Sequence, residues 1–317
     1  MQITEIFSSQ LPVGEKLSIK RARFEPSVKG ANSKRISIVS GIHGDELEGQ
    51  YVIYLLASWL QQNPSSLRGI VDLYPGVNAL GIDTITRGFP SYEVDLNRAF
   101  PGGKHEFLPG QLVHALASDV KGSDIAIDIH SSNIFLKEIP QIRINKEFSP
   151  STLPLAKKLN CDFIWIHDAV TVLEATFSHT MNQLGTKTLV VEMGLGMTLT
   201  QEYGKQLLSG ILNLMKSEGI IISDEEFEQR EPFSSEIGDV FYINSPKSGL
   251  FVQSIKHCAI IQKGDIVGTI VNPLTGEILE TLYAPSGGIL FTLREFPVVY
   301  EGSLIARIFG NNDNEKN

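Results

Sequence analysis

The sequence predicts an α/β fold followed by a smaller all-β domain at its C-terminal end. Three observations carry that expectation. Between residues 36 and 218, apolar runs of strand length alternate with longer stretches of helical pattern. Past about residue 225 the helical pattern stops, and short strand-like runs are punctuated by turns such as 263–265, 272–276 and 285–288. Three polar residues of metal-ligand type, His43, His130 and Glu192, lie just beyond apolar runs at 36–39, 124–129 and 188–191. In open α/β sheets ligands bind at the carboxyl ends of strands.

Taken in order, residues 16–24 and 36–39 read as strands separated by a turn-like stretch at 27–33, which predicts a hairpin feeding the first site loop. Residues 45–61 are helical in pattern, and 70–74 is a strand stopped by Pro75 and Gly76. Helices are expected at 112–121, 154–159 and 199–218, and strands at 125–129, 163–166 and 188–191. The stretches 131–143 and 167–181 read as loops that shape a substrate pocket. Residues 223–232 form a charged linker without apolar periodicity, so the boundary is placed between domains at 1–225 and 226–317.

Composition narrows the function. With 317 residues, 42% hydrophobic and 20% charged, the chain is an ordinary globular protein with ample core. A net charge of -9 argues against a nucleic-acid partner and against an anionic membrane surface. Two cysteines, Cys161 and Cys258, supply neither a disulfide framework nor a paired-cysteine metal knuckle, and a reducing cytoplasm is the expected location. The first residues lack the basic and apolar regions of a secretory signal, and the apolar stretch 51–60 is shorter than the roughly 20 residues of a membrane span.

Catalytic zinc is commonly held by two histidines and one carboxylate, with a fourth position open. His43, Glu46 and His130 supply that set, two from one loop and the third from a distant strand, so metal binding would be coupled to folding. Taken alone, His43 and Glu46 also fit a helix start whose acidic residues favour the dipole, and His130 alone also fits a satisfied core histidine.

The company of these residues decides between the readings. The strings HGDELEG, DLNRAFPG, DIHSS and VEMG occur in this order from His43 to Gly194. The combination resembles the succinylglutamate desuccinylase and aspartoacylase family, closest to its branch of N-acetyl-diaminobutyrate deacetylase-like enzymes. The resemblance implies a zinc carboxypeptidase-like mixed sheet flanked by helices, with a barrel-sandwich-like β-domain behind it. It further implies one zinc ion per chain on His43, Glu46 and His130, with Glu192 as general base. Asn97 and Arg98 match the pair that grips a substrate carboxylate, a role suited to the planar guanidinium fork. Arg87 is the candidate for stabilising the oxyanion, with a surface arginine as the alternative at that position. Asp95 is expected to support the site rather than to react.

The expected activity is hydrolysis of the amide of an N-acyl amino acid or related small metabolite. A metallocarboxypeptidase acting on peptide C-termini is the rival enzyme, and a non-catalytic metabolite-binding protein is the rival from another class. His105, His114, His167, His179 and His257 are assigned no ligand role, and Tyr300 is read as packing. The turns of the β-domain resemble those of biotinyl and lipoyl carriers, but 272–276 has no lysine to modify, so the domain is expected to cover the site or to support a homo-oligomer.

Overall fold

An antiparallel pair of strands at the start of the chain sets the first edge of the large sheet. In a computed structural model that describes residues 1–27, 33–168, 174–236 and 238–310, β1 (Gln2–Gln10) and β2 (Lys16–Phe24) run antiparallel. They precede β3 (Arg35–Ser40), α1 (Glu48–Gln62) and β4 (Ile70–Tyr74). The hairpin expected between residues 16–24 and 36–39 does not form, because β2 pairs with β4, and β4 lies between β2 and β3. The reason is electrostatic: Asp72 of β4 is fully buried, and Arg23 of β2 sits opposite it, with Nε 2.7 Å from Oδ1. Most of the turn-like stretch at 27–33 lies outside the described residues.

The chain continues through α2 (Ala79–Thr84), α3 (Leu108–Val120), β5 (Ile125–Ser131), β6 (Leu136–Asn145), α4 (Ser149–Ala156) and β7 (Phe163–His167). It then forms α5 (Phe177–Gln183), β8 (Lys187–Gly194) and α6 (Gln201–Ser217). Residues 136–145 are therefore a strand and not part of the expected loop at 131–143, while 169–173 of the other expected loop lie outside the described residues. The helix expected at 154–159 begins earlier, at Ser149, with Pro154 in its interior.

After the linker come β9 (Phe233–Ser234), β10 (Asp239–Asn244), β11 (Gly249–Gln253), β12 (Ile260–Ile261), β13 (Ile266–Val271), β14 (Ile278–Tyr283), β15 (Gly288–Arg294), β16 (Val298–Val299) and β17 (Leu304–Gly310). The large sheet runs β1-β2-β4-β3-β5-β8-β6-β15-β17-β10, with β7, β9 and β12 at its side, and a four-stranded sheet runs β14-β13-β11-β16. Its centre, β4-β3-β5-β8, is parallel, and β6 turns antiparallel against β8, so the sheet is mixed.

Strands buried on both faces read as continuous apolar runs. Ile125, Ile127 and Ile129 pack with Leu56 of α1 and Ile211 of α6 in one core, while Ala126 packs with Leu112 and Leu116 of α3 in another. The strands beyond the linker have a core of their own around Phe251, Ile270, Leu290 and Ile305. A fourth cluster, Ile139, Phe163, Phe291 and Phe309, joins β6 and β7 to β15 and β17. Among the described residues no helix is long and apolar enough to cross a membrane.

Candidate metal centre and cleft

The carboxyl ends of β3, β5 and β8 converge on one place. His43 and Glu46 stand in the loop between β3 and α1, and His130 is the penultimate residue of β5. One ligand atom from each of the three lies within 4.8 Å of the others. His43 Nδ1 is 2.8 Å from Glu46 Oε1, His130 Nδ1 is 2.9 Å from Glu46 Oε2, and the two Nδ1 atoms are 3.2 Å apart. All three residues are only 3% exposed, which removes water as a competing partner.

The donor set fits a divalent metal. A metal-bound imidazole usually gives its second nitrogen to a carboxylate, which fixes tautomer and ring plane. Here His43 Nε2 lies 2.9 Å from Asp95 Oδ1 and His130 Nε2 lies 2.9 Å from Asp128 Oδ2. With N–H on each Nε2, both Nδ1 lone pairs point at the same space as the Glu46 carboxylate. The Ser131 amide also donates to Glu46 Oε2 at 3.0 Å, which holds the carboxylate in plane. Two imidazoles and a carboxylate suit zinc and several other transition metals.

Charge is tightly balanced here. Burial pulls both imidazoles down, but Glu46 acting with Asp95 on His43, and Asp128 acting with Glu46 on His130, outweigh it and raise both above the ordinary histidine range. Burial pushes Glu46 up, and the two histidines more than offset this, so its carboxyl is held below the usual range. A cation placed among these three groups would compete with protons for both imidazoles.

Glu192 lies inside β8 rather than after it, directly beside His130 in the parallel register. Burial raises its carboxyl, and Arg143 and His130 pull it partway back. Two positions on, Gly194 has φ +69, and a Cβ there would fall 2.0 Å from Glu48 Oε1, so only glycine lets β8 end where it does. Glu48 itself is fully buried and accepts the Thr200 amide at 2.9 Å with either oxygen, tying α1 to the start of α6.

The other expected residues gather around this centre. Arg87 Nη1 donates to Glu46 Oε1 at 2.7 Å. Asn97 Oδ1 accepts the Phe177 amide at 2.9 Å, and Arg98 Nη1 donates to the Asn97 carbonyl at 2.7 Å. Together with His43, His130 and Glu192, these three line a cleft of about 180 Å³. His167 and His179 also line it, whereas Tyr300 is exposed and stands outside. A second cavity of about 290 Å³ shares Arg87 and Glu192 with the first and adds Glu46, Glu138 and Arg307.

Arg143 is the residue that sequence reading missed. It lines both cavities, with Nη1 3.3 Å from Glu192 Oε1 and Nη2 donating to Glu138 Oε2 at 2.9 Å. The available signal was the alternation of Ile142, Arg143 and Ile144, which is strand-like but interrupted upstream by Pro140.

The model of the succinylglutamate desuccinylase/aspartoacylase catalytic domain matches residues 32–217. A succinylglutamate desuccinylase/aspartoacylase from Rhodobacter sphaeroides is 24% identical, covering 94% of this chain and 90% of its own, with a TM-score of 0.76. The product-bound ectoine utilization protein EutE from Ruegeria pomeroyi is 17% identical, covering 96% and 93%, with a TM-score of 0.80. A succinylglutamate desuccinylase from Silicibacter sp. TM1040 is 19% identical, covering 96% and 93%, with a TM-score of 0.81. At these identities the structural likeness establishes the fold. Curated proteins yield no match. Since the family match spans more than half of the chain and includes the His43, Glu46, His130 and Glu192 cluster, the protein belongs to the succinylglutamate desuccinylase/aspartoacylase family of deacylating hydrolases.

Proposed function

We propose that this chain is a zinc-dependent amidohydrolase that removes an acyl group from an N-acyl amino acid or a related small metabolite. The observation that carries the reading is the convergence of His43 Nδ1, His130 Nδ1 and the Glu46 carboxylate beside Glu192. His43, Glu46 and His130 would hold one zinc ion, which supplies Lewis acidity and a water acidified toward pKa ~7.

The chain's own groups then have distinct roles. Glu192 is the general base and later the acid for the leaving nitrogen, as amide hydrolysis requires. Its Oε1 faces Arg143, so Oε2 is the atom that takes and returns the proton. Arg87 directs positive charge at the carbonyl oxygen as the oxyanion develops. Asn97 and Arg98 orient a substrate carboxylate in the cleft. Residues 226–317 act as a second unit that walls one side of the site. Two free thiols, Cys161 buried and Cys258 exposed, accord with a cytoplasmic setting.

The test is mass spectrometry of pooled N-acetyl, N-succinyl and other N-acyl amino acids with short peptides, incubated with zinc-loaded protein. Wild type runs beside Glu192→Gln. Loss of an acyl-amino acid with release of the free amine, absent in a variant that still holds zinc, supports the reading. Peptides shortened from the C-terminus would move the protein to the carboxypeptidases, and normal turnover by Glu192→Gln would remove that residue from the mechanism.

A further inference from the structure

Glu192 stands at one end of a row of side chains that no single strand could supply. The register of the large sheet sets Gly194 of β8 beside Glu138 of β6, Glu138 beside Thr292 of β15, and Thr292 beside Arg307 of β17. Arg143, also on β6, lies between Val190 of β8 and Trp165 of β7. From there its guanidinium spans Glu192 and Glu138, at 3.3 and 2.9 Å. Glu138 is 1% exposed, and its other oxygen accepts from Arg307 Nη1 and from Thr292 Oγ1, the latter at 3.3 Å.

We infer that Arg143 is the positioning residue of Glu192, and that Arg307 and Thr292, acting through Glu138, hold Arg143 in the place that lets it do so. The inference rests on the proposed role of Glu192. Its physical basis is the alternation of charge along the row: Glu192, Arg143, Glu138, Arg307. Each interior group faces opposite charge on both sides, which is the arrangement in which buried ions offset their desolvation. An arginine with one carboxylate partner keeps considerable rotamer freedom, while two partners fix both the position and the plane of the fork.

The far end of the row is anchored by aromatic rings. The Arg307 guanidinium carbon lies 5.4 Å from the centre of the Trp165 ring and 5.8 Å from that of Tyr242, and Arg143 sits 5.6 Å from Trp165. Such contacts hold a cation without offering it a second acceptor to prefer over Glu138. Strands beyond the linker thereby reach a centre whose candidate metal ligands come from β5 and the loop before α1.

Arg143 lines the cleft, so its own substitution would confuse positioning with substrate contact. Arg307→Met keeps the stem and removes the clamp, Arg307→Lys restores the charge, and Glu138→Gln removes the carboxylate between the arginines. With N-acetyl-glutamate and N-succinyl-glutamate as probes, kcat for Arg307→Met is expected to fall about 100-fold, the scale of a 1 Å misplacement. KM stays within about twofold, since only a transition-state interaction is lost. Zinc content is unchanged, and Arg307→Lys recovers a large part of kcat. Unchanged kcat, or a raised KM at unchanged kcat, would overturn the assignment, the latter making Arg307 a substrate contact.

Crystal structures of wild type, Arg307→Met and Glu138→Gln give an arm that needs no turnover. Arg143 withdrawn from Glu192 in the variants supports the inference, and Arg143 left in place overturns it. If wild type cleaves no N-acyl amino acid, the deacylase reading fails while this arm still decides the positioning.

Discussion

His43 and His130 present the same ring nitrogen to Glu46 because an aspartate holds the other one. Asp95 Oδ1 and Asp128 Oδ2 each lie 2.9 Å from a histidine Nε2. Asp95 also accepts the Asn97 amide at 2.8 Å, so one carboxylate orients the ring and starts the turn that presents Asn97 and Arg98. Asp95→Asn removes the charge and lets the amide turn its NH₂ toward the ring, which favours the wrong tautomer. Zinc affinity is expected to weaken by about 10–100-fold, measured by competition with a chromophoric chelator. Equal affinity in the two proteins would detach Asp95 from the metal centre. The cluster of His43, Glu46 and His130, which could hold a metal ion, was readable in the sequence because its residues stand in short strings near strand ends. Which carboxylate serves which ring was not, since Asp95 and His43 meet only once α1, β4 and α2 have folded between them.

Asp72 shows why strand order was harder to read than strand position. Residues 16–24 and 70–74 match β2 and β4 in extent, yet the hairpin expected between β2 and β3 is replaced by pairing of both with β4. Short connections favour local pairing as a prior, but Asp72 is fully buried and draws three arginines, Arg21 and Arg23 from β2 and Arg35 from β3. Replacing it with alanine takes the bidentate partner from Arg23 and one acceptor each from Arg21 and Arg35, which keep the Asp119 carboxylate and its backbone carbonyl respectively. A loss of about 3–5 kcal/mol is expected, read from urea midpoints of wild type and Asp72→Ala. A loss under about 1 kcal/mol would mean that the edge strands are held by their apolar contacts alone. Strand β6 was unreadable for a related reason. Glu138, Gln141 and Arg143 give it the composition of a loop, but Glu138 and Arg143 pair with each other and Arg143 with Glu192, so charge is matched by charge and not by water.

At the scale of the whole molecule, protonation ties stability to histidines outside the candidate metal cluster. The sheet is continuous from β1 to β10, and its join at β6 and β15 links residues that no local pattern connects. His257, close to that join, donates from Nε2 to the Phe291 carbonyl at 3.1 Å, and its Nδ1 lies 3.1 Å from the Cys258 thiol. Burial holds its pKa below the ordinary 6.5. Between its folded pKa and 6.5 the unfolded chain binds the proton that the folded chain refuses, so stability rises with pH. The contribution is complete above 6.5 and is lost as pH falls through the folded value. His167 is depressed by the same first cause and adds the same sign. The net charge of -9 acts oppositely, since acidification toward the pI near 5.3 relieves self-repulsion. Comparing wild type with His257→Gln separates the two, because the variant changes no charge above 6.5 and glutamine can still donate to Phe291. The melting temperature of the variant relative to wild type is expected to climb as pH falls from about 8 to about 5. A difference that stays constant across that range would show that His257 takes up its proton equally in both states, and that the acid sensitivity of the fold lies elsewhere.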